Sequence, residues 1–138
     1  MSFIRYIPLL LPLAAACGSG SSTGPNAPPS PAAAASDIDI VPGASTLTLA
    51  AFSPNPKTLA LGSSGSAVVR WVNRDVSGGG AYGTAATSHN ITSDDGVFEP
   101  SGVLPGGANY TVTFSAAGTY RFHCSIHPNM VGSIVVTN

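Results

Sequence analysis

The sequence predicts an all-β fold, a Greek-key antiparallel β-sandwich of about seven to eight strands. Apolar and polar residues alternate with a period of two in several short segments, and no segment shows an apolar stripe with helical spacing. The 138 residues include 16 Gly and 12 Pro, which favour frequent turns. Short strands separated by such turns are typical of a sandwich, and the length allows one small domain.

The predicted strands follow one another along the C-terminal two thirds of the chain. In the clearest of them, Tyr110, Val112 and Phe114 alternate with threonines, as expected when successive side chains point to opposite faces of a sheet. Trp71 shares a face with Val69 and is predicted to lie in the core. By the same reasoning, strands are predicted at 46–49, 58–61, 68–73, 110–114, 120–124 and 134–137, with turns at 54–56, 93–96 and 105–107.

Residues 1–16 have the pattern of a secretory signal peptide: Arg5 is followed by an apolar stretch that ends in small residues. The stretch is shorter than the roughly 20 apolar residues of a membrane-spanning helix. The segment 13–17, Leu-Ala-Ala-Ala-Cys, resembles a bacterial lipobox, which implies that Cys17 is acylated. The alternative is an ordinary cleavable signal followed by a chance cysteine.

Residues 18–36 consist almost entirely of Gly, Ser, Thr, Pro and Ala, a composition that cannot bury enough apolar surface to fold. We therefore predict a signal peptide at 1–16, a lipid-anchored flexible linker at 17–43 and a folded domain at 44–138. This organisation predicts a protein of the bacterial cell envelope, facing the periplasm or the exterior and attached to a membrane by its lipid.

The charge composition excludes several kinds of partner. Charged residues make up 8% of the chain and the formal net charge is −1. No polybasic field is available to bind nucleic acid or an anionic membrane surface.

One short segment carries most of the candidate chemistry. Cys124, His127 and Met130 fall within seven residues, in the loop between the last two predicted strands. A thiolate, an imidazole and a thioether form a soft ligand set that suits copper. Zinc is the poorer match, because its protein ligands are Cys, His and carboxylates.

A second imidazole would complete a trigonal site, and the chain offers two candidates. His89 lies 35 residues before Cys124, after a strand and a Gly-rich loop. His123 is closer in sequence, but strand alternation places Cys124 on the inward face with Phe122 and His123 on the opposite face. We therefore predict that His89 is a ligand and that His123 is not.

The domain resembles the type 1 (blue) copper proteins of the plastocyanin-like cupredoxin family, and its ligand loop is similar to that of the amicyanins. The resemblance implies a cupredoxin-like sandwich that binds one type 1 copper ion. It also implies an equatorial plane formed by His89, Cys124 and His127, with Met130 as the weak axial ligand. The matching segments are 52–54, 69–75, 88–90, 118–124 and the Cys-x-x-His-x-x-Met loop that ends at residue 130.

The resemblance further implies that Asn90 joins the two ligand loops, with its side chain bonding near Ser125 and its backbone N–H directed at the Cys124 sulfur. Two features depart from the family pattern. Ile126 stands where the family often has Pro before the second His, and residues 76–88 form an insert that contains three consecutive glycines. This insert is predicted either to cover the copper or contact a partner, or to be a mobile surface loop.

The first functional hypothesis is a monomeric electron carrier that docks redox partner proteins near His127. The second is a copper-handling protein that stores or delivers the metal, and a metal-free binding sandwich is the remaining alternative. An enzyme is not expected, because a second metal site needs further histidines and only His123 is left over. The predicted docking patch is apolar and comprises Leu104, Pro105, Pro128, Met130 and Val131.

Overall fold

The computed structural model describes residues 35–76 and 86–138, which contain eight strands in two four-stranded sheets. In chain order the strands are β1 (Ser36–Ile40), β2 (Phe52–Ser53), β3 (Lys57–Ala60), β4 (Ala67–Asn73), β5 (Thr92–Ser93), β6 (Asn109–Phe114), β7 (Gly118–His123) and β8 (Val131–Thr137). The first sheet has the order β2-β1-β4-β6 and the second has the order β3-β8-β7-β5. The predicted all-β sandwich is confirmed.

Two of the strand pairs run parallel, although the sequence predicts an antiparallel sandwich. Among the described strand pairs, β1 and β4 run parallel, as do β3 and β8, whereas the other pairs are antiparallel. A parallel pair requires a connection that crosses to the other end of the sheet. Period-2 alternation reports which face a residue occupies but not the direction of its neighbour, so the sequence could not show this difference.

The first strand begins before the predicted domain boundary at residue 44. In β1, Ile38 and Ile40 are fully buried, so the segment 36–40 belongs to the sandwich rather than to the predicted linker. The intervening Asp37 is paired with Arg70 of β4, with 2.6 Å between Oδ2 and Nη2. Asp39, the second acidic residue of the strand, is paired with Arg74, which directly follows β4.

The predicted strand at 46–49 is not present. Two short 3₁₀ turns, Ala44–Thr46 and Leu49–Ala51, take its place. Their N–H groups bond locally, as in the 2.9 Å bond from Leu47 N–H to Ala44 O, and the side chain of Leu49 is exposed. The other five predicted strands are present, with ends that differ by a few residues.

The core is centred on aromatic rings beneath the end of β7. The Phe122 ring meets Phe52 and Trp71 edge to face, with centroid distances of 4.8 and 5.2 Å. Trp71 and Val69 are fully buried, as predicted. Because Phe122 is two residues before Cys124, this packing holds the strand that leads into the candidate metal loop.

Several predicted segments lie outside the described residues. These are the signal peptide, Cys17, the linker up to residue 34, and residues 77–85 of the insert. Within the described ranges, no helix has both the length and the apolar character needed to cross a membrane.

Candidate metal centre

The segment from Cys124 to Met130 is a hydrogen-bonded loop between the paired strands β7 and β8. Cys124 N–H donates to Met130 O at 3.0 Å, and Met130 N–H donates to His127 O at 2.9 Å. Cys124 and Met130 are both fully buried, whereas His127 is partly exposed. The loop therefore turns two sulfur-containing side chains inward and leaves one imidazole at the surface.

His89 reaches the same place from a distant part of the chain. Its backbone pairs with Leu104 through two hydrogen bonds, of 3.1 Å from His89 N–H and 2.7 Å from Leu104 N–H. The side chain of the buried Asn73, at the end of β4, donates to the carbonyls of Leu104 and Thr87. Asn73 thus holds both Thr87, which lies two residues before His89, and Leu104, which is the backbone partner of His89. The His89 side chain is fully buried.

Three donor atoms converge in the structure. Cys124 Sγ lies 3.9 Å from Nδ1 of His89 and 3.9 Å from Nδ1 of His127, and the donor atoms of the three residues lie within 4.8 Å of one another. A trigonal metal with bonds of about 2.0 Å to nitrogen and 2.3 Å to sulfur would separate sulfur from nitrogen by about 3.7 Å. The observed spacing fits a single metal ion held by all three residues.

The nature of the donors favours copper over other metals. One thiol sulfur and two imidazole nitrogens make up the cluster, and the thioether of Met130 belongs to the same loop. This His₂Cys set with a methionine is the donor combination of blue copper sites. In both histidines Nδ1 is the ring nitrogen that lies 3.9 Å from the sulfur.

Asn90 connects the two loops that carry the donors. Its Nδ2 donates to Ser125 Oγ at 2.6 Å, and Ser125 N–H donates back to Asn90 Oδ1 at 2.7 Å. The Asn90 backbone N–H points at Cys124 Sγ from 3.4 Å. A backbone donor at this distance stabilises negative charge on the sulfur, and the side-chain clasp holds Cys124 in register with His89.

Asp75 is a site residue that the sequence reasoning missed. Its Oδ2 lies 3.1 Å from His89 Nε2, and its Oδ1 accepts a 3.0 Å hydrogen bond from Gly43 N–H. Burial acts to raise the pKa of Asp75, but the bonds from Gly43 and His89 bring the net pKa below its ordinary value. Asp75 stands among the residues that carry the family resemblance, but a separation of 14 residues from His89 gave no sign that the two side chains meet.

The protonation of His89 follows from the same contact. Burial lowers the pKa of His89, and the bond to Asp75 only partly opposes this. A neutral imidazole that donates Nε2–H to an ionised Asp75 keeps the lone pair of Nδ1 free. The contact thus selects the tautomer that presents Nδ1 to a metal.

His123 lies apart from the cluster. Its Nδ1 is 2.6 Å from Asp94 Oδ1, on the outer face of the second sheet. Asp94 in turn donates its backbone N–H to Arg121 O at 3.0 Å. The side chain is therefore engaged in a surface pair on the face that strand alternation predicts.

The surface around His127 differs from the predicted docking patch. Leu104 and Met130 are buried and contribute no surface, because both side chains point into the sandwich. Of the other predicted residues, Pro105 and Pro128 are exposed and Val131 is half-buried. The prediction left out Val103 and Ile126, which are 66% and 44% exposed. An apolar surface is present at this end of the domain, but the predicted residues form only part of it.

Comparison with known proteins agrees with the fold. The sequence matches the cupredoxin-like domain over residues 28–136, and the chain belongs to this family. Amicyanin from Paracoccus denitrificans is 33% identical over 72 residues, which cover 49% of this chain and 47% of that protein. The aligned part thus spans about half the length of the curated relative.

Two solved structures extend the comparison. A purple cupredoxin from Nitrosopumilus maritimus superimposes with a TM-score of 0.58 at 27% identity, covering 74% of this chain and 99% of that one. A copper-containing nitrite reductase from Thermus scotoductus has a TM-score of 0.55 at 28% identity, covering 75% of this chain but 22% of the reductase. Cupredoxins bind copper, and electron transfer is their typical role. The predicted family and its copper cofactor are thereby confirmed.

Proposed function

We propose that this chain is a membrane-tethered electron carrier with a type 1 copper site. The observation that carries the proposal is the convergence of Cys124 Sγ with Nδ1 of His89 and His127. These are the donors that blue copper requires, at a spacing that one ion can bridge. Membership in the cupredoxin-like family supports the same function.

In this proposal His89, Cys124 and His127 would hold the copper ion, and Met130 would be a weaker fourth ligand. When bound, copper supplies one-electron chemistry by alternating between Cu(II) and Cu(I). The chain contributes a set of donors that need not move: Asn90 clasps Ser125, Asp75 orients His89, and the ligand loop is closed by its own backbone bonds. Donors held by packing and hydrogen bonds keep the structural cost of each electron transfer small.

Electrons would enter and leave through His127, since the other three proposed ligands are fully buried. Ile126, Pro128 and Pro105 surround this end of the domain with exposed apolar surface. A small apolar surface with few charges suits brief docking of redox partner proteins, which bury less area than stable complexes do. The carrier is proposed to act as a monomer.

Attachment to a bacterial membrane is proposed to occur through a lipid on Cys17. The lipobox-like sequence that ends at Cys17 and the Gly, Ser and Pro-rich composition of residues 18–36 support this anchor. The proposed location is the cell envelope, on the periplasmic or extracellular side.

The resemblance to a nitrite reductase domain raises the question of catalysis, and we propose that this chain is not an enzyme. The sequence contains three histidines, of which two belong to the cluster and the third, His123, is paired with Asp94. No histidines remain for a second metal site. Copper storage or delivery is the alternative, but the complete burial of Cys124 argues against rapid release of a metal.

The proposal is tested by titrating the full chain with Cu(II) while recording visible and electron-spin spectra. One equivalent should produce an intense blue colour, since the absorption arises from the copper–thiolate bond, and cyclic voltammetry should show a reversible one-electron wave. Cys124→Ser should remove the colour. The matched control, His123→Ala, changes a neighbouring side chain outside the cluster and should remain blue.

Two outcomes would contradict the proposal. A blue Cys124→Ser protein would show that the site assignment is wrong. A parent protein that binds copper without reversible electrochemistry would favour copper handling over electron transfer.

A further inference from the structure

A small turn beside the metal centre contacts it from two sides. Residues 43–47, here called the 43–47 turn, are closed by bonds from Thr46 N–H to Gly43 O at 3.2 Å and from Leu47 N–H to Ala44 O at 2.9 Å. Gly43 has a φ of 74°, in the left-handed region that favours glycine. Ala44 is fully buried, so the turn is anchored in the core as well as by its own bonds.

The first contact leads to His89. Gly43 N–H donates to Asp75 Oδ1 at 3.0 Å, and the other oxygen of Asp75 lies 3.1 Å from His89 Nε2. One end of the turn therefore orients a carboxylate, and this carboxylate orients the histidine that comes from the upstream part of the chain.

The second contact leads to the C-terminal ligand loop. Asn129 Nδ2 donates to Leu47 O at 2.5 Å and to Ser45 O at 3.3 Å, over a separation of more than 80 residues in the sequence. Asn129 lies between His127 and Met130, so its amide ties the middle of the loop to the same turn. The Asn90 clasp acts elsewhere, at Ser125 near the start of the loop.

We propose that the 43–47 turn is an outer brace that holds both halves of the metal centre, and that Asn129 is the positioning residue that fastens the ligand loop to it. This inference rests on the proposed copper function. Hydrogen bonds at an exposed residue contribute little to global stability. Residues that position metal ligands without binding the metal, however, commonly have a considerable effect on metal affinity. The effect of the brace should therefore appear in the properties of the metal centre rather than in folding.

The test uses Asn129→Leu and Asn129→Ala in the full chain. Both variants remove the donor, and the leucine keeps nearly the same size. The affinity for Cu(II), measured by competition with a chelator, should fall about tenfold in both variants. The blue absorption band should also shift, because His127 and Met130 flank the released residue.

A second measurement needs no copper. In nitrogen-15 spectra of the copper-free protein, both Asn129 variants should shift the ring signals of His127 and of His89, since the turn joins the two. Asn55→Ala is the matched control, because Asn55 Nδ2 makes the same kind of bond to Leu49 O and Val131 O outside the ligand loop. Asn55 is half-buried, whereas Asn129 is exposed, and Asn55 Oδ1 also accepts a bond from Ser133 N–H. The control should therefore lower the melting temperature and leave the copper affinity of the folded protein unchanged.

The outcomes separate this inference from the proposed function. A parent protein that fails to turn blue overturns the function itself. A blue parent whose Asn129 variants keep the parental affinity and spectrum overturns the role of Asn129. Ring shifts at His127 with His89 unchanged overturn the claim that the turn holds both halves.

Discussion

The carboxylate of Asp75 lies 3.1 Å from Nε2 of His89, a proposed copper ligand, and both residues are buried. The hydrogen bonds that Asp75 accepts keep its pKa below the ordinary value, so the group carries a negative charge at neutral pH. A charge held this close to a metal ligand influences the oxidation state of the metal as well as the orientation of the ring.

Asp75→Asn should raise the reduction potential of the copper protein. The carboxylate favours Cu(II), the more positive ion, so its removal favours Cu(I). We expect a rise of about 60 mV, which corresponds to a tenfold change in the ratio of the two affinities. Cyclic voltammetry measures it, with Asp39→Asn as the control because Asp39 is exposed and paired with Arg74. An unchanged or lower potential in Asp75→Asn would refute this role.

Met130 should tune the copper without being needed to hold it, because an axial thioether is a weak, long contact. Met130→Gln offers a harder oxygen that favours Cu(II) and should lower the reduction potential, whereas Met130→Leu removes a donor atom and should raise it. Both variants should remain coloured. If voltammetry gives the parental potential for both, Met130 is not a ligand.

Gly132→Ala should destabilise the fold through Phe122. A Cβ at Gly132 would overlap the Phe122 ring, with Cε2 at 2.8 Å. That ring is held between Phe52 and Trp71 and has little room to move, so we expect a loss of about 1–3 kcal/mol in the free energy of unfolding, typical of overpacking. Chemical denaturation measures the loss. Gly118→Ala in the same hairpin is the control, because its Cβ would meet only ordinary contacts at 3.5 Å. Equal stability in the two variants would contradict this account.

Cys17→Ser should release the protein from membranes. Acylation of Cys17 is the attachment that the lipobox-like sequence predicts, and a serine cannot carry the same lipid linkage. The measurement is the distribution of the full chain between washed membranes and the soluble fraction after expression in a bacterial host. A Cys17→Ser protein that remains in washed membranes would end the lipoprotein hypothesis.

Several features of this protein could be predicted from local sequence. Strands such as β6 and β8 follow from alternation, because the side-chain period of a strand is two whatever its partner. The same rule places Cys124 inward and His123 outward. The ligand loop was also recognisable, because Cys124, His127 and Met130 are close in sequence and their chemistry depends on residue type.

The errors arose where a segment takes its structure from distant residues. The segment 36–40 forms a strand because it pairs with β4, where Arg70 is the partner of Asp37. The local sequence of this short segment does not show that pairing. The segment 46–49 has a strand-like pattern, yet the structure forms two 3₁₀ turns there. Leu104 and Met130 were predicted to lie in the exposed docking patch. Packing against neighbouring residues buries both of them, so neither contributes to the exposed surface.

The sequence by itself determined the sandwich, the family and the donors available to copper, because these depend on residue type and local spacing. Only the tertiary structure brought Asp75 to His89 and Asn129 to the carbonyls of Ser45 and Leu47. Each of these contacts joins residues that are far apart in the chain through hydrogen bonds a few ångströms long. Their formation depends on how the two sheets and their loops pack, and a local pattern carries no information about that packing.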